Sequence, residues 1–276
     1  MSGTLYVVAT PIGNLDDLTL RARQTLADVD IIAAEDTRHT GRLLMHIGVK
    51  KPLFALHDYN ESEAAAALVK RLEEGASVAL VSDAGTPLVS DPGYRLVSRA
   101  HEHGIRVSPV PGPSAVTAAL SAAGLPTDRF CFEGFLPSRR KARCDVLRAL
   151  IKETRTMVFY ESVHRVAESL ADMAAILGDG RAAFLGRELT KLHEQCISGS
   201  ISELAEAAGD GRIPGKGEFV IIVAGSDEES DAAIDAGLLL DELAAVLPPK
   251  QAAAITAKVT GGKRNELYQA LLDKKS

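Results

Sequence analysis

The stretch 77-SVALVSDAGTPLVSDPGYRLVSRAHEHGIRVSPV-110 decides the fold. Residues 77–82 are a short apolar run closed by a turn rich in glycine and proline, the pattern of a buried strand. Residues 93–104 read as a helix and 106–110 as the next strand. Asp91-Pro92-Gly93 reads as the start of that helix, with Asp91 as N-cap and Pro92 at the first helical position. Strand, helix and strand in this order make a βαβ unit, whose two strands lie parallel.

The same alternation runs back to the N-terminus. Residues 4–10, 30–35 and 52–57 read as strands, and 19–29 and 38–47 as helices. Asn60, with Glu63 three residues on, has the spacing of a capping box for a further helix. A largely parallel sheet covered on both faces is therefore expected over residues 1–112. The pattern changes after an alanine-rich helix at 113–124. Residues 130–135, 156–161, 182–189, 192–198 and 218–224 read as strands with fewer helices between them, so a second domain over 113–225 is expected to hold a mixed sheet. Residues 226–276 read as an acidic linker and three short helices, broken at Pro248-Pro249 and Gly261-Gly262. They suit either a small helix-turn-helix unit or a helical cap.

The chain has 276 residues, 46% hydrophobic and 25% charged, the balance of a globular protein with core enough for about two domains. No apolar run approaches the ~20 residues that span a bilayer. The opening MSGTLYVVATPIGN has no charged leader, so a cytoplasmic location without a membrane partner is expected. Cys131, Cys144 and Cys196 are far apart and odd in number, which predicts free thiols and no metal site. The net charge of −6 opposes a nucleic-acid partner, but residues 227–242 hold seven acids and no base, and without them the balance is +1. Basic residues gather at 139-RRKAR-143 and again at Lys250, Lys258, Lys263, Arg264, Lys274 and Lys275. This is a local basic face or a solvated helix surface.

In open α/β sheets, ligands sit beyond the carboxyl ends of the strands. Four such ends run into loops of unusual composition: 10-TPIGN-14, 35-EDTRHT-40, 83-DAGTPLVSDPG-93 and 111-PGPSA-115. Neither GxxxxGK[ST] nor a helix-opening GxGxxG is present, and Pro11 removes an N–H that a phosphate nest would use. A small molecule held by backbone and shape is expected instead. In 35–40, Asp36 or Thr37 suits a helix cap with Arg38 paired to an acid, yet two acids, Arg38, His39 and two hydroxyls at one strand end favour substrate contact. His57 and Asp58 suit function and turn structure equally. Tyr160-Glu161 with His164-Arg165, and 187-RELTK-191, are polar strand ends of the second domain.

Taken in order, TPIGNLDDLT, AAEDTRHTGRLL, VSDAGTPLVSDPG, PGPSA, FEGFLP, FYESVHR, RELTK and KGEFVIIV closely resemble the tetrapyrrole (precorrin) methylase superfamily, in particular its ribosomal RNA small-subunit methyltransferase branch. The resemblance runs from about residue 3 to 225 and into the tail. It implies a class III methyltransferase of two α/β domains with a small C-terminal helical extension, usually a homodimer. The co-substrate implied is S-adenosylmethionine, bound between the domains without a metal. The reaction implied is 2'-O-methylation of a cytidine ribose in the decoding region of 16S ribosomal RNA of the small ribosomal subunit. Carried over, the cofactor contacts fall at Pro11, Asp83, Gly85, Thr86, Val89, Ser114, Ala115, Phe159, Tyr160 and Gly217. The tetrapyrrole relatives read glycine-acid-proline where this chain has Gly85-Thr86-Pro87, and Asp83 is the nearby acid. Arg38, His39, Arg139, Arg140 and Lys141 suit RNA phosphate contacts. Glu35, Asp36, Glu133 and Lys191 are unranked candidates for a general base. The rivals are methylation of a small tetrapyrrole, and a non-catalytic ribosome-assembly factor that binds RNA.

Overall fold

β1 (Thr4–Val8), β2 (Ile31–Ala34), β3 (Leu53–Ala55), β4 (Val78–Val81) and β5 (Arg106–Val110) form one sheet in the order β3-β2-β4-β1-β5. Every pairing in it is parallel. The structure is a computed structural model that describes residues 2–226 and 236–273. Alternate residues of each strand face opposite layers. Ala33 and Leu80 pack with Leu68 and Leu72 of α3 (Glu61–Glu73) and Leu96 of α4 (Tyr94–Glu102). Ala34 and Val81 pack with Leu26 of α1 (Leu20–Asp28) and Leu43 of α2 (Thr37–His46). With both faces covered, β2 and β4 are apolar throughout, which is why they read as unbroken runs in the sequence.

The second sheet runs β6-β7-β10-β8-β9. Its strands are β6 (Phe130–Phe135), β7 (Thr156–Ser162), β8 (Ala182–Arg187), β9 (Gln195–Ser200) and β10 (Glu218–Val223). β6 and β7 are parallel and the other pairs antiparallel, so the sheet is mixed as expected. α5 (Ala115–Ala123) covers one face, where Ala119 and Leu120 meet Val158, Phe184 and Ile222. The other face packs Met157, Phe159 and Ile221 against α6 (Arg140–Ala149), α7 (Val166–Leu177) and α8 (Ile201–Gly209). Three helices stand between these strands against four in the first sheet, and none separates β8 from β9, so the helices here are fewer, as expected. In α6 the usual apolar stripe is interrupted by Arg143, whose fully buried guanidinium bonds Asp172 of α7 at 2.8 Å. A charged residue in a core position conceals the helical period.

Two cap assignments are also corrected. Asn60 does stand at the N-cap of α3, but its side chain makes no cap bond. Its Oδ1 accepts from His57 N at 2.8 Å and its Nδ2 donates to Ala55 O at 3.0 Å, so the residue fastens the β3 loop instead. α4 begins at Tyr94, after an N-cap at Gly93 rather than Asp91. Its first N–H groups are satisfied from another element: Glu61 Oε1 accepts from Gly93 N and Arg95 N, both at 3.0 Å.

A separate compact unit comprises residues 152–154 and the chain from 225 onward. Its helices are α9 (Ala236–Val246), α10 (Pro249–Thr260) and α11 (Arg264–Asp273), packed on Leu240, Ala252, Ala253 and Leu271. Pro249 opens α10, and Gly261 closes it in the left-handed conformation, the expected breaks. Most of the acidic segment read as a linker (227–235), with Lys274 and Lys275, lies outside the described residues. Among those described, no helix is long and apolar enough to cross a membrane.

Candidate active site

The loops after β1, β4 and β5 are fastened to one another by their backbones. Thr10 N donates to Gly85 O at 2.9 Å, and Gly85 N returns the bond to Thr10 O at 3.1 Å. Thr86 Oγ1 donates to Pro113 O at 3.1 Å. Gly85 has φ +82°, and a Cβ there would come within 3.2 Å of Ile12 Cγ2, so both backbone angle and space require glycine. Beyond it, Leu88 (φ 72°) and Ser90 (φ 66°) are non-glycine residues in the left-handed region. Such conformations cost on the order of 1–3 kcal/mol each and persist where the surroundings over-determine them.

These loops and the polar strand ends of the second sheet enclose a cavity of about 420 Å³. Of the residues expected to hold a cofactor, Gly85, Thr86, Val89, Ser114, Ala115, Tyr160 and Gly217 line it. Phe135 packs beside Tyr160 with ring centroids 5.5 Å apart. Gly217 (φ +104°) leaves room for Glu188, whose Cγ would lie 2.5 Å from a Cβ at that position. At Gly186, also in the wall, an added Cβ would sit 3.0 Å from Leu189 Cδ2.

Three expected contacts lie elsewhere. Phe159 is fully buried in the core, because alternation along β7 sends Tyr160 to the cavity and its neighbour to the opposite face. Pro11 and Asp83 line a second cavity of about 160 Å³, with His39 and Arg42. Ile12, Ser90, Asp91, Phe135, Glu161, Leu189 and Glu218 line the main cavity without having been singled out as cofactor contacts. Ile12 and Leu189 carry only an apolar signal in the sequence, and Asp91 lies in a helix-cap pattern that the structure does not use as a cap.

The base candidates separate by environment. Asp36 caps α2, accepting from Arg38 N at 2.8 Å and pairing with its guanidinium at 2.9 Å. The Arg38 hydrogen bonds hold its carboxyl well below the usual carboxylate range. Lys191 is paired with Glu188 at 2.9 Å and Glu218 at 3.0 Å. Burial opposes its charge, but those carboxylates prevail and hold it protonated. Glu133 sits on β6 outside the lining of either cavity. Glu35, at the end of β2, is pushed up to about 7 by burial and by the charges of Asp91, Asp83 and Asp58. Burial, reinforced by Asp83 and Asp58, also raises Asp91. Tyr160 is pushed up to about 12 by burial and by Asp91. Of the RNA-contact candidates, Arg38 and His39 open α2. Arg139 is the N-cap of α6, followed by Lys141 and by Arg140, which bonds Asp172 at 2.9 Å.

The site is thus a cavity at the strand ends of two five-stranded sheets, one parallel and one mixed. Residues 4–205 match the tetrapyrrole (corrin/porphyrin) methylases, and residues 228–275 match the RsmI C-terminal HTH domain. A uroporphyrin-III C-methyltransferase from Thermus thermophilus, solved with S-adenyl homocysteine, superposes with a TM-score of 0.54 at 18% identity, over 80% of this chain and 97% of that one. The ribosomal RNA small subunit methyltransferase I of Haemophilus influenzae is 52% identical, over 98% of this chain and 96% of its own length. The protein of that name from Escherichia coli O157:H7 is 53% identical, over 98% and 95%. The chain belongs to the tetrapyrrole methylase family and, within it, to the ribosomal RNA small subunit methyltransferase I group.

Proposed function

We propose that the protein transfers the methyl group of S-adenosylmethionine to the 2'-hydroxyl of a cytidine ribose in the decoding region of 16S ribosomal RNA, in the small ribosomal subunit. The observation that carries this reading is the identity of 52% and 53%, along nearly the whole chain, with relatives named for that RNA. The main cavity suits the co-substrate. Its volume of about 420 Å³ falls in the range of small-molecule sites. Phe135 and Tyr160 offer aromatic surface to a purine, and the Ser114 hydroxyl makes no helix-cap bond. S-adenosylmethionine bound there supplies a methyl group already activated on a sulfonium.

The work left to the protein is placement, exclusion of water and removal of a proton. The ribose hydroxyl must stand in line with the methyl carbon at roughly 3 Å, and as a weak nucleophile it needs a proton acceptor. Arg38 and His39 on α2, with Arg139, Arg140 and Lys141 on α6, serve as phosphate contacts that position RNA without reading its sequence. Residues 1–112 and 113–225 act as the two α/β domains of a cytoplasmic homodimer, with 226–276 as its helical extension.

The test is transfer from labelled S-adenosylmethionine to purified small subunits that lack the modification, followed by digestion to nucleosides. Label in 2'-O-methylcytidine is expected. Transfer to a precorrin with none to RNA would overturn the reading in favour of tetrapyrrole methylation. Absence of S-adenosylmethionine binding in calorimetry would favour a non-catalytic assembly factor.

A further inference from the structure

Three carboxylates line the main cavity: Asp91, Glu161 and Glu218. Glu161 is buried and fully engaged, accepting from Ser169 Oγ at 2.5 Å and Ser162 N at 2.7 Å and pairing with Arg165 at 2.9 Å. Glu218 is mostly exposed and paired with Lys191 at 3.0 Å. Asp91 has neither arrangement. The Ser82 hydroxyl nearby lowers its proton affinity but does not outweigh burial, and among the described residues no lysine or arginine forms an ion pair with it. The titratable groups around it are Asp83 on its own loop, Asp58 after β3, Glu35 at the end of β2 and Tyr160 on β7.

The backbone explains why this aspartate faces the cavity. The left-handed residues Leu88 and Ser90 turn the loop just before it, and Glu61 takes over the capping of α4. The sequence pattern Asp-Pro-Gly is thus diverted from a helix start to a cavity wall.

We propose that Asp91 is the catalytic residue that takes the proton from the ribose 2'-hydroxyl during methyl transfer, an assignment that rests on the functional reading above. The ribose oxygen forms its bond to the methyl carbon as the carbon–sulfur bond breaks. The electron pair of that bond stays on sulfur, which becomes a neutral thioether. The hydroxyl proton passes to the carboxylate of Asp91. A half-buried carboxylate with acidic neighbours and no cation holds a proton more strongly than an ordinary aspartate, which is what a base in this position needs.

The test compares wild type with Asp91→Asn, which keeps the shape of the side chain and removes the base. Single-turnover transfer to unmodified small subunits is expected to fall by about 100-fold or more. Affinity for S-adenosylmethionine in calorimetry is expected to stay within about a factor of three. Asp91→Glu is expected to restore part of the rate. The wild-type rate falls as pH drops and the base is protonated, and Asp91→Asn lacks that limb. Transfer by Asp91→Asn at the wild-type rate overturns the assignment and leaves the functional reading intact. Lost cofactor affinity with an unchanged rate at saturation also overturns it, making Asp91 a cofactor contact. Should Asp91→Asn fail to fold, the profile of Glu35→Gln decides: a rate flat through the acid range overturns the proposal, and an acid limb that persists without Glu35 supports it. No labelled RNA from wild type overturns the functional reading itself, and this assignment with it.

Discussion

Asp36 with its Arg38 partner apart, the carboxylates at the strand ends of the first sheet are handled differently from those of the second. At the strand ends of the first sheet, Glu35 and Asp91 are raised by burial and by one another's neighbourhood, without a cation to offset them. In the second, Glu161 is paired with Arg165, Glu188 and Glu218 share Lys191, and Asp172 holds Arg140 and Arg143. Neutralised acids fix structure, whereas uncompensated ones are poised to exchange protons. The lesson is that partner sets, more than residue types, divide the labour around this cavity.

The largest effect that would break this contrast lies in the second half. Asp172→Asn leaves the buried Arg143 guanidinium with only Glu168 and Ser138 O as partners, and a loss of ~2–4 kcal/mol in urea unfolding is expected. Burial pushes the Asp172 carboxyl up, but its bonds to Arg140 and Arg143 overcome this and hold it below the ordinary range. Its contribution is therefore present above the unfolded value and is lost as pH falls through the folded one. Equal stability of wild type and variant at neutral pH would mean the pair is idle.

A smaller effect of opposite sign is expected in the first half. The Glu35 value of about 7 means that folding favours its protonated form, a contribution lost as pH rises through that value. Glu35→Gln should match wild type below the ordinary glutamate range. At pH 8 it should be more stable, by an amount on the order of 1 kcal/mol once solvent screening is allowed for. Thermal melts at the two pH values check this, and a variant less stable at high pH would show that Glu35 is compensated after all. The smallest effect belongs to Arg38→Ala. Its pair with Asp36 is on the surface, so no measurable change in the urea midpoint is expected, while RNA affinity should weaken and depend less steeply on salt.

Strand order of events along the chain was legible because buried parallel strands leave unbroken apolar runs, as β2 and β4 do. The helices of the second half were not, because α6 buries an arginine where a period reader expects leucine. Within the site, small residues at strand ends marked much of the cavity wall. The side of β7 to which Phe159 turns depends on register, which sequence adjacency to Tyr160 does not reveal. Asp91 was hidden by a stronger local pattern. Helix-cap chemistry explains Asp-Pro-Gly fully until Glu61, far away in sequence, occupies the cap.

The glycines of the cavity wall carry a consequence for how the site is mapped. Gly85, Gly186 and Gly217 contribute by what they lack, since a single methyl at any of them meets a neighbour at 3.2, 3.0 or 2.5 Å. Alanine scanning shortens side chains such as Phe135 and Tyr160, but at these three glycines it adds a methyl group instead. The signal at these positions is displacement of Ile12, Leu189 or Glu188, the side chains an added methyl would meet, rather than loss of a contact.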